Sequence, residues 1–108
     1  MKDNMVIDFL NKYNNFAKVV STSNKKKFDS IDSIYTVNSA IKSFIEMLEQ
    51  GKKDEIDPSV INNLMYFTEE YLKRIENSTY KEKVITILKD NLQKARILIE
   101  KSEKLLQR

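Results

Sequence analysis

The chain has no cysteine, no histidine and no tryptophan, and only one glycine and one proline in 108 residues. Without cysteine there is no disulfide scaffold, no thiol nucleophile and no Cys-based zinc site. Without histidine it lacks the side chain that most often moves protons near neutral pH, and the Glu-x-x-His pair of di-metal carboxylate bundles cannot be assembled. Gly51 and Pro58 stand alone, whereas the turns of sheets lean on both residue types, which argues against all-β and α/β folds. Helices joined by polar connections remain. No apolar run reaches the roughly 18 residues of a membrane-spanning helix. The opening Met1-Lys2-Asp3-Asn4 carries an acid, and the apolar stretch after it is interrupted at Asp8, unlike a secretory signal. The expected location is cytoplasmic, and the lack of cysteine fits a reducing compartment.

What is present is charge. Nineteen basic and sixteen acidic residues give a net +3. Sixteen of the basic residues are Lys and three are Arg, beside ten Asn and abundant Ile. This is the codon bias of an AT-rich genome, as in low-GC bacteria and phages, so mild basicity by itself says little about an anionic partner. The sign is uneven: residues 79–108 carry eight basic and four acidic groups, whereas residues 51–78 carry four and six.

One domain follows from the length. Stepping 100° per residue resolves four amphipathic segments. The first follows Asp3 as N-cap and aligns Met5, Val6, Phe9, Leu10, Tyr13, Phe16, Ala17 and Val20. A polar stretch, Ser21 to Lys27, reads as the longest loop. The second segment aligns Ile31, Ile34, Val37, Ile41, Phe44, Ile45 and Leu48, and Gly51 stands where a left-handed helix cap is wanted. The third starts at Asp57 as N-cap with Pro58 in the first helical position and Ile56 stapling onto Ile61. It aligns Val60, Ile61, Leu64, Met65, Phe67, Tyr71, Leu72 and Ile75, with Glu69–Lys73 and Glu70–Arg74 as expected i,i+4 pairs. The fourth follows a Thr79–Glu82 capping box and aligns Val84, Ile85, Ile87, Leu88, Leu92, Ala95, Leu98, Ile99, Leu105 and Leu106. The fold class predicted is all-α: a single-domain antiparallel four-helix bundle with a long C-terminal helix. Its helices are placed at about 4–20, 31–50, 58–76 and 80–107, with the last overhanging the others.

No catalytic, cofactor-binding or metal-ligating residue is expected, and the chain does not read as an enzyme. The carboxylate pairs Glu46/Glu49, Glu69/Glu70 and Glu100/Glu103 lie off the apolar faces, so none is placed where burial would shift its pKa. Asp54, Glu55 and Asp57 lack the spacing and central glycine of a calcium loop. Serine and threonine are plentiful but have no base to activate them.

Association is the function left. Apolar residues off their stripes, Ile7, Met47, Tyr66 and Ile97, with Tyr35 borderline, are the expected contacts to another protein or to a second copy of the chain. Tyr66 is the preferred anchor, because Tyr is enriched at hot spots. The alternative is a basic patch of Lys25, Lys26, Lys27, Lys94, Arg96 and Lys101 binding nucleic acid or an anionic membrane surface. Three polar residues fall inside stripes: Asn38, Thr68 and Asn91. Buried Asn costs stability unless hydrogen-bonded, and Asn38 against Asn91 is the expected solution. The other reading places Asn91 in a groove open to a partner.

The ten residues Asn62-Asn63-Leu64-Met65-Tyr66-Phe67-Thr68-Glu69-Glu70-Tyr71, in a small basic helical chain, resemble part of the bacteriocin immunity proteins. That resemblance implies a cytoplasmic four-helix bundle that protects a producer cell at the membrane face. It implies no particular site residue.

Overall fold

The structure, a computed structural model, describes residues 3–106, with side chains as far as Ser102. Apolar positions expected at Leu105 and Leu106, and the helix end expected at residue 107, lie outside the described side chains and residues. Among the described residues there are five α-helices and no strand: α1 (Asn4–Val20), α2 (Lys25–Phe28), α3 (Ile31–Glu49), α4 (Pro58–Arg74) and α5 (Glu82–Leu106).

Local chemistry sets most boundaries. Asp3 caps α1 by accepting from the Met5 N–H at 2.8 Å, and Asp57 caps α4 from the Ser59 N–H at 2.9 Å. Pro58 follows Asp57 at the first position of α4, where a missing N–H costs nothing. Gly51 closes α3 with φ of +68°, a left-handed conformation that side chains resist. The Gly51 N–H reaches the Leu48 carbonyl, and the Lys52 N–H reaches the Met47 carbonyl at 2.9 Å. This pairing of 5→2 and 6→1 bonds is the Schellman arrangement.

Two boundaries differ from expectation. The stretch read as the longest loop contains α2, capped by Asn24, with Phe28 turned into the core. Helix α5 begins at Glu82 after a Ser78–Lys81 turn, so Thr79 stands two residues too early to cap it.

α3 is the centre of the molecule. It packs against α1 on one side and α5 on the other, while α4 packs against both α1 and α5. Val37, Ala40, Ile41, Phe44 and Ile45 are buried, as are Ser33 and Ser43. Phe9 of α1 meets Phe44 of α3 with ring centroids 5.8 Å apart. Met47, expected on the surface, is 0% exposed and belongs to the core. A helix covered from two sides, whose end is overrun by the returning chain at Gly51 and Lys52, buries positions that a one-stripe wheel assigns to solvent.

The outer helices do the reverse. α4 buries Ile61, Leu64, Thr68 and Tyr71, and α5 buries Ile85, Leu88, Leu92 and Ala95. Both seams alternate spacings of three and four residues. Such narrow seams leave Phe67 and Ile87 exposed, although both were assigned to apolar stripes.

Chain direction follows from the ends. Asp3, before α1, holds Lys52, shortly before α4. Val20, the last residue of α1, shares a cavity with Tyr71 and Arg74 of α4. Helices α1 and α4 therefore run the same way, and α3 and α5, which start where those two finish, run together in the opposite sense. The expectation of antiparallel neighbours fails for the α3–α5 and α1–α4 pairs. Eight residues from Gln50 to Asp57, each reaching up to about 3.3 Å, are enough for a diagonal crossing from α3 to α4.

Asn91 Nδ2 donates to Asn38 Oδ1 at 2.8 Å, joining α5 to α3 midway along their contact. Both residues are half-buried. Removing either partner alone strands the other's amide, so Asn38→Ala and Asn91→Ala should each lower unfolding free energy by about 1 kcal/mol or slightly more. The double Leu variant should recover most of that loss, as read by urea denaturation.

Asp3 and Asp57 both have carboxyl pKa values below the ordinary 3.8, Asp3 chiefly through its bond from Lys52 and Asp57 through the Ser59 N–H. A lowered folded-state pKa means that the unfolded chain binds protons first, so the stabilisation is whole above about pH 4 and drains as pH falls through the folded values. The melting temperature should be level from neutrality to about pH 4.5 and drop below it. In Asp3→Asn that drop should be shallower.

Candidate protein-binding face

At the end of the molecule where α1 finishes, α2 folds under α4. Phe28 of α2 packs on Tyr71 of α4, centroids 4.7 Å apart, and Tyr71 Oη donates to the Phe28 carbonyl at 2.8 Å in the interior. Burial, and then the nearby charge of Asp29, push the Tyr71 phenol far above its usual pKa. It stays a neutral donor at any physiological pH. Arg74 lays its guanidinium over the outer face of Phe28, 5.0 Å from the ring centre, a cation–π contact.

Above this floor stand Tyr66 and Phe67, 59% and 40% exposed. Their rings meet edge to face at 5.1 Å. With Val20, Phe28, Glu70, Tyr71 and Arg74 they border a cavity of about 230 Å3. Four of its seven lining residues are aromatic. Isolated exposed apolar residues are ordinary, but two touching aromatics over a buried aromatic floor have the make-up of an anchor point.

The four expected contact residues are not brought together. Tyr66 borders this cavity, whereas Ile7 on α1 and Ile97 on α5 are exposed elsewhere and Met47 is in the core. Tyr35 is exposed beside a separate depression formed with Lys12, Asn15, Thr36 and Ser39. Phe28 and Phe67 were missed as members. Asn24 and Ser30, two good cap formers bracketing Phe28, were the available sign that the polar stretch holds a helical turn.

The basic residues are dispersed and partly neutralised. Arg96 pairs with Glu69 across α5 and α4 at 2.9 Å, and Lys25 with Glu76 at 3.3 Å. Glu69 is thus not paired with Lys73, which sits 3.5 Å from Glu70 instead. The expected Glu70–Arg74 pair is replaced by the Arg74–Phe28 contact. Lys26, Lys27, Lys94 and Lys101 are exposed, with no ion pair among the described residues.

Asn91 Nδ2 is bonded to Asn38 Oδ1, the pairing expected of the two. Thr68 is fully enclosed with no partner for its hydroxyl. No helix among the described residues is long and apolar enough to cross a membrane. No protein-family model, no curated protein and no solved structure matches the chain.

Tyr71→Phe deletes only the hydroxyl that ties α4 to α2. Stability should fall by about 1 to 2 kcal/mol, the cost of an orphaned buried carbonyl. Phe28→Ala, which opens the floor, should cost about 3 kcal/mol or more. A chemical melt of the two variants checks the order; equal effects would show that α2 is not docked through Phe28.

Proposed function

We propose that this chain is a non-enzymatic protein that acts by binding another protein. In this reading its four long helices form a four-helix bundle, and the Tyr66–Phe67 face, at the end where α1, α2 and α4 meet, is the docking surface. The observation that carries it is the pair of touching, exposed aromatics on consecutive residues, set over the buried, mutually tilted Phe28–Tyr71 pair. Consecutive helical residues lie about 100° apart, so one apolar stripe has no need of both. A two-sided aromatic ridge gives a partner area to bury at little loss of side-chain entropy.

The sequence supports the non-enzymatic part, since imidazole and thiol are both absent. Pairing of Arg96 and Lys25 with acids weighs against the basic residues as one anionic-surface site, because salt-dependent binding depends on unneutralised charge.

Replacing Tyr66 and Phe67 together by Ser removes the ridge without touching the core. The double variant should melt within a few degrees of the parent, because exposed positions change stability by only about 0.5 kcal/mol each. In affinity capture from the source cell it should release the partner that the parent retains, while Ile97→Asp keeps it. Sedimentation of both chains separates a foreign partner from a second copy. Equal capture by parent and double variant would refute this surface.

A further inference from the structure

Beside the aromatic ridge lies a second cavity, of about 320 Å3, lined by Thr22, Ser23, Lys25, Phe28, Asp29 and Arg74. Its size is that of a small-ligand site, about 300 to 1,000 Å3. Asp29 is the unusual member. It is only 9% exposed, its Oδ1 is enclosed without a partner, and among the described residues no hydrogen bond or ion pair reaches its carboxylate. Buried polar groups are satisfied with few exceptions, and a carboxylate taken out of water without a donor is costly.

The nearby donors are committed elsewhere. The Tyr71 hydroxyl gives its proton to the Phe28 carbonyl, and the Ser33 N–H at the start of α3 is held by Ser30 Oγ at 3.1 Å. Lys25 reaches out to Glu76. Arg74 rests on the Phe28 ring, and among the described residues no carboxylate meets its N–H edges. The cavity lining thus includes a carboxylate that no group among the described residues pairs with and a guanidinium without an anion.

We propose that this cavity binds a small zwitterion, an α-amino acid with an apolar side chain. Its ammonium donates to the Asp29 carboxylate, and its carboxylate is received by the Arg74 fork, whose geometry suits two parallel N–H···O bonds. Phe28 and Arg74 also border the neighbouring cavity of Tyr66 and Phe67, which gives the ligand side chain an aromatic-lined space. A lone cation would face Arg74, and a lone anion would leave Asp29 uncovered. A ligand carrying both signs meets both walls. The charge-pairing residues Asp29 and Arg74 are not the docking anchors, so the small-ligand test stands apart from the docking reading, although the two share the Tyr66–Phe67 cavity.

The test is an NMR titration of the full 15N-labelled chain with L-phenylalanine and L-leucine. Phenethylamine and 3-phenylpropionate, each with one of the two charges, serve as comparisons. At least one amino acid should give saturable amide shifts confined to residues 22–29 and 66–74, and bind at least about tenfold tighter than either single-charge compound. Asp29→Asn and Arg74→Gln should each weaken that binding about tenfold or more, with circular dichroism confirming the fold. No saturable shift with either amino acid, or equal binding of phenethylamine, would overturn the proposal. If a variant fails to fold, the comparison series on the unaltered chain still decides it.

Discussion

The rest of the structure depends on the enclosure of α3. This helix presents buried residues to α1 and to α5, and small Ala40 and Ser43 let its neighbours approach closely. A helix covered by two neighbours is buried over a wide arc, which is why Met47 is as inaccessible as Phe44 and Ser43 is buried too. Once α3 is enclosed, α1 and α5 need only one face each. α4 is left to close the remaining gap through a narrow seam. Apolar side chains that α4 carries beyond that seam have no interior to enter, and Tyr66 and Phe67 reach the surface for that reason.

Apolar burial is not directional, so something must fix how the helices slide past one another. The Asn38–Asn91 bond does so along the α3–α5 contact, where a shift of one turn would leave two amides half-buried and unpaired. At one end Asp3 caps α1 and also holds Lys52, tying the first helix to the connection that precedes α4. At the other end the Tyr71 hydroxyl and the Phe28 ring tie α4 to α2. These three polar fastenings sit at the middle and both ends. Each serves a position where apolar contact alone would permit several registers.

How much of this was legible depends on whether the determining physics is local. Caps at Asp3 and Asp57 and the stop at Gly51 are properties of a few adjacent residues, and they stand in the sequence as they do in the fold. The Asn38–Asn91 pair was legible for another reason: two polar residues in apolar stripes have few other solutions. Met47, Phe67 and Ile87 were misplaced because a helical wheel assumes one buried side of uniform width, and width is set by how many neighbours a helix has. Phe28 was missed because a lone aromatic after three lysines has no period to detect. Parallel α3 and α5 were hidden because a connection's length bounds its span without giving its direction.

The face proposed for binding shows how fold and function constrain each other here. The proposed docking draws on shape, apolar surface and placed charge. All three concentrate where α2 inserts, because a four-residue helix buries one ring and cannot cover the polar groups around it. Asp29 is carried inward beside Phe28 with no donor supplied, and Arg74 is drawn onto the ring away from the acids of its own helix. A longer α2 with a second apolar side chain would cover the cavity and fold more firmly. The price of that stability would be the exposed aromatic ridge, with the enclosed Asp29 and the Arg74 laid over Phe28 beside it.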